Sequence, residues 1–142
     1  LKNKEAHILL VEDDPLVVTN LLHAFEVLGI ENPVHVAATG KEALNMVQGK
    51  GKAALSPTPK IILLDLGLPE MCGLRFLEEL RKDEKLRPCC VFVITGPGTD
   101  QEILKAYDFN VAGFILKPVN NKSLQEMVAT LQSYWDLIEL PN

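Results

Sequence analysis

Glu12, Asp13 and Asp14 follow one another directly after the apolar run Ile8–Val11. Asp65 comes at the end of a second run, "KIILLDL" (60–66). Thr95 closes a third, "CVFVIT" (90–95), and Lys117 follows a fourth, "AGFIL" (112–116). Clustered carboxylates repel and raise one another's pKa unless positive charge stands among them. A hard divalent cation answers that need, and an oxygen-rich site that keeps waters suits Mg²⁺. Lys117 offers a second cation and Thr95 a hydroxyl donor. A carboxylate held among such groups has the chemistry of a nucleophile. Solvated helix caps and loop acids are the ordinary alternative, and Asp14 is read that way. Acids, a hydroxyl and an amine at four strand ends point instead to a site.

Such groups converge only if the elements behind them are ordered alike. "HILLV" (7–11) reads as a strand buried on both faces. Pro15 suits the first turn of a helix with Asp14 as its N-cap, and Gly29 stops that helix. "PVHVAA" (33–38) is a weaker strand. Thr39 and Glu42 form a capping-box pattern for a helix to about Val47. "GKGKAALSPTP" (49–59) is a loop by its Gly and Pro content. Strands at 60–66, 90–95 and 112–116 alternate with helices at 73–82 and 100–109. In the first of these helices, Leu74, Leu77 and Leu80 face inward. A last helix begins near Ser123 and runs to about 139, with Trp135 on its apolar stripe.

Five apolar strands alternating with five helices predict an α/β fold with a doubly wound parallel sheet. The expected form is flavodoxin-like, strand order 2-1-3-4-5. Glu12, Asp13, Asp65, Thr95 and Lys117 then share the carboxyl edge of the sheet, where such folds bind ligands. The 142 residues suit one domain.

The stretches "ILLVEDDP", "IILLDLGLPEMCGL", "VFVITG" and "GFILKP" resemble, in order and spacing, the signatures of the response-regulator receiver domain of two-component signalling. The resemblance covers about Ile8 to Leu131. It implies that Asp65 is the phosphoacceptor, with Thr95 and Lys117 on the phosphoryl oxygens. It implies Mg²⁺ held by Glu12, Asp13, Asp65 and the backbone carbonyl of Gly67, and an aromatic switch at Phe114. It further implies a histidine kinase as partner. On this reading residues 1–142 are a single receiver domain, core about 7–131, with no output domain. The final "SYWDLIELP" is similar to small stand-alone phytochrome-associated response regulators, which suggests a phytochrome-type kinase. Cys72 departs from the family pattern, since an acidic or amide residue is frequent there.

Two other functions fit less well. A haloacid-dehalogenase-like phosphatase also uses a strand-end Asp, Mg²⁺ and Lys, but needs a second acid where Gly67 stands. A degenerate receiver acting only as a binding module would have no need of Asp65, Thr95 and Lys117 together. The expectation is therefore a phosphoacceptor and not an enzyme.

A net charge of -5 argues against nucleic acid. No apolar run reaches the roughly 20 residues that span a bilayer. Cys72, Cys89 and Cys90 have no zinc spacing, and a reducing cytoplasm fits them. His7, His23 and His35 show no partner pattern and read as structural. Tyr134 and Leu137, facing away from Trp135, together with Ile103 and Tyr107, predict an apolar surface for a homodimer.

Overall fold

The computed structural model describes residues 5–51, 55, 57–97, 100–118 and 120–140. Each apolar run forms a short strand: β1 (Ile8–Val11), β2 (Val34–Ala37), β3 (Ile61–Leu64), β4 (Cys90–Thr95) and β5 (Gly113–Leu116). The helices between and after them are α1 (Pro15–Val27), α2 (Gly40–Val47), α3 (Gly73–Lys82), α4 (Asp100–Asp108) and α5 (Asn121–Leu137). Strand order is β2-β1-β3-β4-β5, every pair parallel, as expected. Parallel neighbours need crossovers, and the helices supply them on both faces.

Strand residues alternate between two cores. Leu9, Val11, Ile62, Leu64, Val91 and Val93 pack with Ala43, Phe76, Leu77, Leu80 and Ala106 of α2, α3 and α4. Ile8, Leu10, Ile61, Leu63, Phe92 and Ile94 pack with Leu21, Phe25, Leu124, Val128 and Trp135 of α1 and α5. Phe76 is fully buried and belongs with Leu77 and Leu80, whereas Leu74 is only half-buried.

The caps follow the sequence with two changes. Asp14 Oδ1 accepts from the Leu16 amide at 2.9 Å. Thr39 accepts from the Glu42 amide at 2.9 Å, but Glu42 reaches back to the Ala38 amide, one residue beyond the cap. Helix α5 starts earlier than Ser123: Asn120 is its N-cap and accepts from the Ser123 amide at 2.8 Å. A side-chain amide oxygen does the capping there.

Candidate functional site

Three strand ends and the segment after β5 meet at the carboxyl edge. Asp65 follows β3 directly and is 6% exposed. Its Oδ2 receives the Lys117 ammonium at 2.8 Å. Its Oδ1 accepts from the Gly67 amide at 3.0 Å and from the Thr95 hydroxyl. Glu12, 3% exposed, directly follows β1. Its Oε1 meets Lys117 at 2.5 Å, and its Oε2 accepts from the Asp13 amide at 2.9 Å and the Asp14 amide at 3.3 Å. Asp13 is exposed. Carboxylate oxygens of Glu12, Asp13 and Asp65 lie within 4.8 Å of one another, close enough to share one cation. An all-oxygen donor set of this charge suits a hard divalent ion.

Burial and pairing pull these groups in different directions. Burial pushes the Glu12 carboxyl up to about 7, against the pull of Lys117 and with Asp65 adding to the rise. Burial acts the same way on Asp65, but bonds from Lys117, Thr95 and Gly67 outweigh it and hold the carboxyl below the usual range. Burial works against the Lys117 charge, yet Asp65 and Glu12 raise its pKa overall. The site therefore keeps Asp65 ionised, the state a nucleophile needs.

Asp65 opens onto a cleft of about 460 Å³ lined also by Gly67, Thr95, Pro97, Glu102 and Lys117. A side chain at position 67 would begin 3.8 Å from Asp65 Oδ1, and one at Gly96 would meet nothing within 4 Å. The approach to Asp65 is open on this side. Glu102, not anticipated from sequence, brings a further carboxyl from α4.

Phe114 is half-buried beside Val93. It packs toward the α2, α3 and α4 core, on the same face as Thr95. The expected apolar surface needs correction. Ile103 is half-buried and Leu104 is the exposed residue of that turn. Tyr134 does not simply point away from Trp135: both rings meet Phe92 edge-on at 5.9 Å. Tyr134 is still 45% exposed, Leu137 80% and Leu116 59%, while Tyr107 is also exposed.

Two relationships went unread in the sequence. His7 Nδ1 and His35 Nε2 lie 2.8 Å apart with the rings stacked, so these histidines are partners. Arg81 donates to the carbonyls of Phe109, Arg87, Cys89 and Asn110, tying the end of α4 to the α3–β4 loop. Cys89 is buried, donates to the Pro59 carbonyl at 3.2 Å and has its thiol pushed up to about 11 by burial, consistent with a packing role.

Residues 8–129 match the response regulator receiver domain family. The chain is 32% identical to the probable methanogenesis regulatory protein FilR2 of Methanothrix harundinacea, over 90% of this chain and 82% of that protein. It is 30% identical to response regulator Rcp1 of Synechocystis sp., over 94% of this chain and 92% of the relative. The solved Mn²⁺-bound form of Rcp1 gives a TM-score of 0.88 at 29% identity, covering 96% and 99% of the two chains. The phosphorylated cyanobacterial phytochrome response regulator RcpA gives a TM-score of 0.90 at 28% identity, covering 97% and 99%. Among the described residues no helix is long and apolar enough to cross a membrane.

Proposed function

The chain belongs to the response regulator receiver domain family, and on that premise we propose that a histidine kinase phosphorylates it on Asp65. The observation that carries this reading is the Asp65 carboxylate, bonded at once by Lys117, Thr95 and the Gly67 amide beside Glu12 and Asp13. An Asp65 oxygen attacks the phosphorus of a phosphohistidine. The P–O bond forms as the P–N bond breaks, and the imidazole nitrogen leaves with the electron pair. Phosphoryl transfer asks chiefly for positioning and charge neutralisation, which these residues provide.

Asp13, Asp65 and the Gly67 carbonyl would hold Mg²⁺, with Glu12 orienting its waters. The bound ion would neutralise charge on the transferred group. A relative solved in a Mn²⁺-bound form supports a divalent ion at such an acidic cluster. Lys117 takes one phosphoryl oxygen. Thr95 already donates to Asp65, so switching is a handover of that bond to a phosphoryl oxygen. Phe114, on the same face, turns toward the space that Thr95 leaves. The two arrangements form a population shift.

The kinship to Rcp1 and RcpA supports a phytochrome-type kinase as the phosphoryl source. Residues 8–129 act as a receiver domain in the cytoplasm. Their output is a protein contact at the α4–β5–α5 face, in a homodimer that phosphorylation tightens. The Gly67 amide stands where a phosphatase would place its second acid, which favours a phosphoacceptor over an enzyme. Acetyl phosphate with Mg²⁺ is expected to add one phosphoryl group per chain, read by intact mass, and Asp65→Asn to add none. Undiminished labelling of that variant sinks the assignment.

A further inference from the structure

The loop between Asp65 and α3 is held between two glycine surfaces. Gly73 lies so close behind the acceptor that a Cβ there would stand 2.7 Å from the Asp65 carbonyl oxygen and 2.6 Å from Leu66 Cα. Gly40, the buried first residue of α2, does the same from the other side. A Cβ at Gly40 would stand 2.1 Å from the Met71 carbonyl oxygen and 2.9 Å from its carbon. Main chain, not a flexible side-chain tip, occupies that space, so nothing nearby can simply rotate away. Only a residue without a Cβ lets α2 approach the loop this closely.

Between the two contacts the loop is strained. Glu70 has φ +64°, a region that side-chain-bearing residues seldom adopt. The Met71 amide donates across it to the Pro69 carbonyl at 2.7 Å, a three-residue turn of the rarer, costlier hand. Strained turns persist where the surroundings over-determine them. Here the surroundings are α2 on one side and the Gly73 seat on the other. Gly67, whose amide bonds Asp65, is three residues upstream in the same loop.

We infer that Gly40 is a positioning residue for the Asp65 site: its bare backbone lets α2 seat the Met71 carbonyl, which holds the Glu70 turn and keeps the Gly67 main chain against Asp65. Its consequence for cation affinity rests on the phosphoacceptor reading above. Its consequence for the loop does not.

The test compares Gly40→Ala with Val47→Ala, a buried-residue change at the far end of α2. Amide hydrogen exchange in metal-free protein reads the loop directly. Residues 66–72 should exchange at least about tenfold faster in Gly40→Ala and unchanged in Val47→Ala. Calorimetric titration with Mg²⁺ should show affinity about tenfold weaker in Gly40→Ala. Labelling by acetyl phosphate should slow at limiting Mg²⁺ and recover at saturating Mg²⁺. Adding Glu70→Gly relaxes the turn and should return part of the lost affinity. If Gly40→Ala does not fold, the same comparison is made in the Glu70→Gly background. Parent-like exchange in Gly40→Ala, or equal acceleration in Val47→Ala, overturns the inference. A parent that binds no Mg²⁺ overturns the cation reading alone.

Discussion

The Lys117 ammonium stands 2.8 Å from Asp65 Oδ2, and the same atom contacts Glu12 Oε1 at 2.5 Å. One resident cation thus already serves the carboxylates that a divalent ion would serve. Lys117→Ala leaves both acids without that partner. Losing one member of a buried pair costs about 3–5 kcal/mol. The Lys117 side chain is 26% exposed, so a loss of about 1–3 kcal/mol is expected in metal-free buffer. Mg²⁺ should then raise the melting temperature of the variant more than that of the parent, because it meets less positive charge and more unpaired acid. Thermal denaturation with chelator and with Mg²⁺ reads both effects. Equal increments in the two proteins would separate Lys117 from the cation site.

Asp13 and Glu12 should differ as ligands. Asp13 is exposed at the cluster, whereas both Glu12 oxygens are already bonded to Lys117 and main-chain amides. Asp13→Ala should weaken Mg²⁺ binding by more than about 100-fold, and Glu12→Gln by about tenfold, the lower end for a residue that orients ligands. Metal-free Asp13→Ala should also melt no lower than the parent, since it relieves repulsion. Calorimetry giving one affinity for parent and both variants would remove the ion from this place.

The histidine pair predicts an acid-side loss of stability. Burial, and then the charge of His7, lowers the His35 pKa from 6.5 in the folded state. A group with a depressed folded pKa contributes stability that is present above its unfolded value and lost as pH falls through the folded one. Glu12 tilts part of the same range the other way: its raised pKa gives stability at low pH that is lost as pH rises toward about 7. The comparison must therefore be with His35→Gln. Urea midpoints should fall less steeply from pH 7.5 to 5.5 in that variant than in the parent. Parallel pH profiles would leave the pair without energetic weight.

The difference between legible and illegible parts is physical. Strands buried on both faces read as unbroken apolar runs, so the polar residue after each run marks where the chain leaves the sheet. Glu12, Asp65 and Thr95 could be placed at one edge for that reason, and Lys117 by its spacing from β5. The His7–His35 contact depends on the register that pairs Leu9 with His35, which no local pattern encodes. The acceptors of Arg81 are main-chain carbonyls, a group every residue carries. The seat of Gly40 on Met71 joins distant segments through the absence of an atom. The exposure of Tyr134 is legible from helical angle, but its contact with Phe92 is not, because that angle locates Cβ while a long aromatic side chain reaches over.

Arg81 should prove a structural latch. It is half-buried and its guanidinium donates to four carbonyls, two of them just past α4, where Asn110 turns left-handed at φ +59°. Such a cation caps the negative end of α4 from outside the helix. Arg81→Ala should cost roughly 2–4 kcal/mol, since charged donors are removed and carbonyls are left without partners. Arg81→Lys should recover little, because a point ammonium cannot span the fork. Urea unfolding gives the loss, and amide exchange should be fastest at the end of α4. A loss under about 0.5 kcal/mol, typical of an indifferent surface site, would discard the latch.

The apolar surface along the β5 edge carries the last prediction. Helices α4 and α5 cover opposite faces of the sheet, so their outer sides flank the edge strand β5 together. Tyr107 and Leu104 are exposed on α4, Leu116 at the end of β5, and Tyr134 and Leu137 on α5. An exposed apolar group of this kind marks a partner site. A copy of the chain offers the same group, and a two-fold axis makes it self-complementary. Thr95 and Phe114 share a face beside this edge, so the handover of the Thr95 bond should alter it. Sedimentation should therefore show a dimer that tightens with beryllium fluoride and Mg²⁺. Tyr134→Asp/Leu137→Asp should weaken it at least about tenfold, since association would have to bury unpaired carboxylates where apolar side chains now meet. Tyr134→Asp also gives up the edge-on packing against Phe92, so the double variant's melting temperature must be measured beside the parent's, and Leu137→Asp alone, at an 80% exposed residue, should weaken the dimer with little change in melting. A parent that stays monomeric at high concentration in both states eliminates the dimer. Undiminished dimerisation of both variants moves the interface elsewhere.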